Sequence, residues 1–352
     1  MAEDTKIQWC DHSASPWHGC EHARILDGSE HPGCANCYAE RQSKRNPNIL
    51  GHWGREGTRV KSKSFIDNLD HWNKQGAKRG IPVSVFPSLC DPFEDRPELE
   101  PWRREMFEAI DSFKWIRLIL LTKRPENIRR MWPRRTDVEY IGEAGTMNEA
   151  SENYRPNVWL LTSISDQQTA DAMIPELLKC RDLCPVLGIS AEPLLGPVDL
   201  GRLVWKGAGY SNPEFQAKAM GRRSIDWVIV GGESGINARP CNVAWIRDLV
   251  GQCREAGVPA FVKQLGSVPF DGLYEFRRFN SFQHWVDKAQ SWIGGVPVVC
   301  TRICHVGRDF MRARDQSAFP VVASLIDKKI DKKGGDPSEW PADLRVREFP
   351  AT

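Results

Sequence analysis

The chain has 352 residues, of which 41% are hydrophobic and 27% charged, and its formal net charge is +2. That length can bury a large core without disulfide or metal staples. The balanced charge gives no global field for nucleic acid, although a local patch can hide in a neutral total. The longest apolar run, Ile116–Leu121 with Arg117 inside it, is too short to span a bilayer, so no membrane partner is expected. The first ten residues carry neither the basic start nor the apolar stretch of a secretory leader, so a cytoplasmic location is expected. In a reducing compartment the eleven cysteines point to metal ligation, catalysis or burial rather than to disulfides. The fourteen tryptophans serve either a core or stacking on bases.

The first strong signal in chain order is a cysteine constellation, Cys20, Cys34 and Cys37, spaced C-x13-C-x2-C. Pro32-Gly33 reads as a turn and Ala35–Lys44 as a helix, so Cys34 and Cys37 fall three apart on one helical face and can share a metal centre. Cys20, on the incoming loop, can close it. Zinc would need a fourth ligand, which Cys10, His18, His22 or His31 could supply. An iron–sulfur cluster held by three thiolates would leave one iron open. Plain burial of the thiols is the third reading.

Short apolar runs then recur at Val83–Phe86, Ile116–Leu121, Val158–Leu161, Val186–Ile189, Trp227–Val230 and Ala260–Val262. Amphipathic stretches such as Glu100–Phe113, Ala170–Arg181 and Ala244–Ala256 lie between them. Several runs lack alternation, as strands buried on both faces do. The rhythm predicts an α/β fold with a parallel sheet, open or closed into a barrel, and the fold expected is a parallel (β/α) partial or full barrel of about six to seven strands. The residues just past these runs include Asp91, Lys123, Arg124, Glu192, Gly231, Gly232, Glu233, Ser234 and Lys263. Parallel strands end on one rim, so these groups are expected to converge there, where such folds place their active sites. The plainer reading is helix caps and tight turns. Cys90 lies at one such strand end and can face the same cavity.

Two stretches, 129–156 and 202–223, read as surface insertions on a core of residues 1–266. Residues 267–352 read as a C-terminal extension packed on that core. Cys180/Cys184 and Cys300/Cys304 are each spaced i, i+4, which suits a second metal site or ordinary buried thiols.

Taken in order, Cys20…Gly33-Cys34-Ala35-Asn36-Cys37-Tyr38-Ala39-Glu40, Leu121-Thr122-Lys123-Arg124-Pro125-Glu126, Glu192-Pro193-Leu194-Leu195-Gly196-Pro197, Asp226–Gly235, Lys263-Gln264-Leu265-Gly266 and Gly334–Pro341 resemble an uncharacterised family of phage and mobile-element proteins with a three-cysteine motif. That family's character resembles the radical S-adenosylmethionine (SAM) enzymes. Those usually carry C-x3-C-x2-C. Here the first gap is longer, Asn36 stands where an aromatic is usual with Tyr38 after it, and Gly231-Gly232-Glu233 follows a late strand rather than the second.

The resemblance implies a TIM-barrel-like fold and a [4Fe–4S] cluster held by Cys20, Cys34 and Cys37, with SAM on the open iron. It implies an electron donor and a 5′-deoxyadenosyl radical that abstracts hydrogen from the substrate. On this reading Gly231, Gly232, Glu233, Ser234 and Arg124 contact the cofactor, and Asp91, Lys123, Glu192 and Lys263 serve catalysis. Basic residues alternate with aromatics at Trp102-Arg103-Arg104, Arg129–Arg135 and Phe276–Phe279. With a phage setting, that pattern favours a nucleotide or nucleic-acid substrate and DNA modification or repair. Two other readings stand beside it. One is a zinc-stabilised nucleic-acid-binding or accessory protein. The other is a non-radical α/β-barrel hydrolase or lyase using Asp91, Glu192 and Glu233.

Overall fold

A computed structural model describes residues 5–25, 27–135, 153–201, 225–270, 331 and 333–351. Its strands are β1 (His12–Ser13), β2 (Trp17–His18), β3 (Val60–Lys61), β4 (Val83–Phe86), β5 (Ile116–Thr122), β6 (Val158–Ile164), β7 (Val186–Ala191), β8 (Trp227–Gly231), β9 (Cys241–Asn242), β10 (Ala260–Gln264) and β11 (Pro269–Phe270). Seven of them form one sheet in the order β1-β4-β5-β6-β7-β8-β10, every pair parallel. Spatial order follows chain order. With right-handed crossovers, such a sheet keeps its helices on one side and curls into a half-barrel.

The two faces are separately cored because side chains alternate along each strand. The convex face carries Val85, Leu118, Leu120, Leu160, Leu187, Val228 and Val262. Against it pack the helices Phe65–Arg79, Glu100–Ser112, Gln167–Leu178 and Val243–Ala256. The concave face carries Trp159, Leu161, Trp227, Ile229 and Phe261, closed from the N-terminal side by Trp9. Trp17, Trp227 and Trp340 are among the largest fully buried side chains, so these tryptophans serve packing rather than base stacking.

All six expected strands are present, most of them longer at the carboxyl end. β1 is only two residues long, too short for a periodic signal. The helix Phe65–Arg79 buries Phe65, Leu69, Trp72 and Gly76 at helical spacing, a stripe that the sequence does carry. The helix expected over Ala35–Lys44 is corrected. Residues Pro32–Cys34 form a 3-10 turn, Cys37 is extended (φ −57°, ψ 120°), and the α-helix runs Tyr38–Arg45. Pro32 suits the first position of the short turn. The extended Cys37 then breaks continuity, so Cys34 and Cys37 share a turn and not a helical face.

Near the end of the stretch 129–156 one side chain is buried. Arg155 is 1% exposed, makes a bidentate pair with Asp111 at 2.7 and 2.8 Å, and stacks over Phe107. Most of the rest of that stretch, the segment 202–223 and residues 271–330 lie outside the described residues. Phe276–Phe279, Cys300 and Cys304 lie there too.

The chain's end covers the exposed edge of β10. Val262 N–H donates to the Val346 carbonyl at 2.8 Å, and Glu348 N–H to that of Ala260 at 2.9 Å. An edge strand so covered is withdrawn from intermolecular pairing. Trp340, 2% exposed, anchors this segment in the convex core, and its Nε1–H donates to the Gly334 carbonyl at 3.0 Å. Trp340→Ala should cost about 3–5 kcal/mol of stability, as for other buried large-to-small changes. Denaturant unfolding measures it, and a loss under about 1 kcal/mol would show that the strap does not belong to the cooperative core.

Candidate functional site

Just beyond β4 the chain places Asp91, 6% exposed, under the end of β5. Its Oδ1 accepts from Thr122 Oγ1 (2.6 Å) and Phe93 N–H (3.0 Å), and its Oδ2 from Lys123 N–H (3.0 Å) and Arg124 Nη1 (2.9 Å). Burial alone would raise the carboxyl pKa. Arg124 and the hydrogen bonds outweigh burial and hold it below the usual carboxylate range. Asp91 is therefore an ionised carboxylate with both oxygens committed.

Arg124 passes this anchorage to the first cysteine. Its Nη1 lies 3.7 Å from Cys20 Sγ, and its Nη2 donates to the Glu21 carbonyl at 2.9 Å. Arg124 thus holds the cysteine loop. Burial pushes the Cys20 thiol pKa up, and Arg124 works against that rise. The loop is fixed from its other side by Glu94 and Arg59, paired with both side chains fully buried. Glu94 Oε1 accepts from Glu21 N–H at 3.1 Å, and Gly54 N–H donates to the Cys20 carbonyl at 2.9 Å. Gly19 has φ +108°, and a Cβ there would lie 2.8 Å from Arg59 Cδ, so only glycine fits.

The loop of Cys34 and Cys37 is held by different partners. His31 is fully buried, and burial lowers its pKa to about 3, so the ring is neutral. Gly33 N–H donates to its Nδ1 at 3.0 Å, which leaves Nε2 protonated and donating to the Ser163 carbonyl at 3.0 Å. Between the two cysteines, Asn36 Nδ2 donates to Glu233 Oε2 (3.1 Å) and to the Asn237 carbonyl (3.0 Å). Arg239 pairs with Glu233 Oε1 at 2.6 Å and donates to the Pro32 carbonyl at 2.9 Å. Tyr38 Oη donates to the Ser88 carbonyl at 2.6 Å, on the loop that carries Cys90 and Asp91. Glu233 is thus a clamp for the cysteine loop, its carboxyl held low against burial by Arg239 and Asn36.

The other expected residues sort as follows. Glu192 Oε1 accepts from Lys263 Nζ at 2.5 Å and from Gln264 Nε2 at 2.9 Å, joining the ends of β7 and β10. Lys123 is half-buried, and its ammonium makes no hydrogen bond or ion pair among the described residues. It opposes the burial-driven rise of the Cys34 thiol, as Arg124 does more weakly. Gly232 N–H is already donated to the Gln264 carbonyl at 3.0 Å. A Cβ on Gly232 would meet the Leu265 carbonyl oxygen at 2.3 Å. Gly232 therefore serves the close packing of β8 against β10, and a Cβ on Gly231 would lie 3.1 Å from the Gln264 carbonyl oxygen. Ser234 is half-buried beside Glu233.

Arg124 acts on Cys20 and, more weakly than Lys123, on Cys34. Among the described residues, no three His, Cys, Asp or Glu side chains are gathered as the ligands of one ion. Three cysteines on two loops suit a thiophilic group, and of the four residues considered as a fourth zinc ligand His18 is the one whose ring keeps an unpartnered nitrogen, the buried Nδ1. His31 has both ring nitrogens bonded, and so has His22, to Glu30 (2.8 Å) and Glu40 (2.9 Å). Cys10 has its thiol on the Ile7 carbonyl at 3.7 Å, where burial raises its pKa. Cys180 and Cys184 are buried in the convex core with their thiols on the carbonyls of Glu176 and Val186, and burial pushes both up to about 12. They behave as packed thiols.

Several residues of the basic–aromatic patches have partners within the chain. Arg103 is 4% exposed and donates to the carbonyls of Pro92 and Glu94. Arg129 pairs with Asp182, Arg130 with Asp95, and Trp132 is buried. Sequence reading passed over Arg59, Glu94, Asn36 and Arg239. Their role depends on long-range pairing, and no local spacing marks it.

A family model described as "Protein of unknown function (DUF5131)" matches residues 4–313, and the chain belongs to that family. No curated protein matches. Among solved structures, "Spore photoproduct lyase complexed with dinucleoside spore photoproduct" matches with a TM-score of 0.36 and 11% identity over 66% of this chain. The chain spans 58% of the length of that protein. Among the described residues, no helix is long and apolar enough to cross a membrane.

His22 gives this region a pH dependence of defined sign. Burial opposes its protonation, and Glu40 and Glu30 outweigh burial and raise its pKa. The stability it contributes is complete below the ordinary histidine value of about 6.5 and is lost as pH rises through the folded value. His22→Gln should flatten the pH dependence of unfolding on that alkaline side, and NMR titration should place the wild-type imidazole above the free value. Equal pH dependence in both proteins would contradict this account.

Proposed function

We propose that this protein is an iron–sulfur, SAM-dependent radical enzyme that modifies or repairs a nucleobase or nucleic acid and takes its electron from a separate donor. One observation carries the reading. Two independently anchored loops bring thiols to the carboxyl rim of a singly wound parallel half-barrel, and the same Arg124 acts on both. In such folds that rim is the reactive end. Cys20, Cys34 and Cys37 would hold a [4Fe–4S] cluster, leaving its fourth iron for SAM. When bound, that pair supplies reductive cleavage of SAM and a carbon radical able to abstract hydrogen; the chain supplies position and exclusion of water.

The chain's residues divide into two kinds. Asp91, Arg124, Glu233, Asn36 and Arg239 are positioning residues, each hydrogen-bonded to a cysteine loop or to a residue that is. Lys123, with its uncommitted ammonium, is suited to a carboxylate or phosphate. The Glu192–Lys263 pair lies on the inner rim and is suited to ribose or amino groups of a ligand. The nucleic-acid substrate class rests on the resemblance to phage and mobile-element proteins.

Protein purified and reconstituted without oxygen should be brown, hold four irons and four sulfides per chain, and form 5′-deoxyadenosine from SAM with a strong reductant. Cys34→Ala should lose the cluster and this product, whereas Cys180→Ala, a buried core thiol, should keep both. Zinc in place of iron, or a full cluster that never cleaves SAM, would overturn the reading.

A further inference from the structure

At the opposite end of the half-barrel lies a cleft of about 330 Å³. It opens between the segment before β1, the approach to β4 and the amino ends of β5 and β6. Trp9, Arg79, Ile81, Arg117, Trp159 and Phe349 line it. None of these belongs to the cysteine loops or to the rim groups described above.

The cleft joins two unsatisfied surfaces. Arg117 lays its guanidinium over Trp159, 4.3 Å from the ring centroid, and burial lowers its pKa against the pull of Asp11. Stacking engages the guanidinium face and leaves its N–H edge, which matches a planar or tetrahedral oxoanion. Among the described residues neither Arg117 nor Arg79 makes a hydrogen bond or an ion pair. Asp11 also lines the cleft and its charge acts on Arg117, but no hydrogen bond or ion pair joins the two side chains. Asp11 Oδ2 accepts from Ser84 N–H at 2.8 Å and from Ser84 Oγ at 2.5 Å. Beside these cations stand two large apolar side chains left in water, Ile81 at 66% and Phe349 at 51% exposure. A half-buried cation with no hydrogen-bonded anion and an apolar wall without a cover are both costly, and one ligand can relieve both.

We propose that this cleft is a second binding site, for a small oxoanion carrying an aromatic or apolar body. The phosphate or carboxylate group engages Arg117 and Arg79, and the body lies against Ile81, Phe349 and Trp9. The site is independent of the rim and of any chemistry there.

Isothermal titration with AMP and with benzoate tests the site, using full-length protein without added cofactor. Saturable one-to-one binding of at least one is expected. AMP alone assigns the phosphate source and benzoate alone the carboxylate source. Arg117→Gln should weaken that binding at least tenfold, and Arg79→Gln, an exposed change that leaves the fold intact, should weaken it severalfold. Lys123→Gln, at the rim, should leave it unchanged. Binding of neither compound, or binding lost in Lys123→Gln but retained in both arginine variants, would overturn the proposal. The proposed rim function would stand or fall separately.

Discussion

The buried pair of Asp91 and Arg124 is the constraint on which the rim depends. A buried carboxylate and guanidinium are tolerable only when each is fully hydrogen-bonded. Asp91 meets that condition with two backbone N–H groups, one hydroxyl and the guanidinium. Arg124 meets it only by reaching further, to Cys20 Sγ and the Glu21 carbonyl. The unfilled donors of the pair are what draw the first cysteine loop onto the end of β5. Without Asp91, Arg124 would be an uncompensated cation among buried thiols. Without Arg124, Asp91 would be a buried anion held by neutral donors alone.

The second cysteine loop is held by a different set, His31, Asn36 and the Glu233–Arg239 pair, drawn from β6 and from the turn after β8. The thiols thus sit on two supports joined by the charge of Arg124, by His22 bonded to Glu30 and Glu40, and by the contact of Tyr38 with Ser88. Each support can be set by its own hydrogen bonds before anything binds between them. Such pre-organisation lowers what a ligand must spend in ordering its own site.

Much of the fold was legible in the sequence. The runs at Val83, Ile116, Val158, Val186, Trp227 and Ala260 are all strands, because a parallel sheet covered on both faces needs continuous apolar stretches. The rim position of Asp91, Lys123, Glu192, Glu233 and Lys263 was legible for the same topological reason. Their roles were not. Whether a strand-end carboxylate is free or saturated depends on partners far along the chain. Asn36 and Glu233 are 197 residues apart, and Glu21 and Glu94 are 73 apart. Local spacing also misplaced Cys34 and Cys37 on one helix, since the break at Cys37 is not encoded by propensity; the neighbouring bonds of Asn36 to Glu233 and Asn237 suit it.

The concave face explains why the two ends of the half-barrel differ chemically. Its lower rows hold Trp159, Trp227 and Phe261, near the amino ends of their strands. Higher up, Ser163 and Ser190 stand opposite each other in register, and Lys263 lies on the last strand. Parallel strands carry that change in the same direction, so aromatic bulk collects at one end and small or charged groups at the other. The aromatic floor excludes water from beneath the rim, and in that drier setting each charge at the rim acts more strongly on its neighbours. Arg117, at the amino end of β5, is the exception. Its charge stands on the aromatic floor itself, stacked on Trp159, and faces away from the rim into the cleft below. A cation placed there contributes nothing to the chemistry of the rim. At that end its electrostatic partners are Asp11 and, in the proposed site, a bound oxoanion.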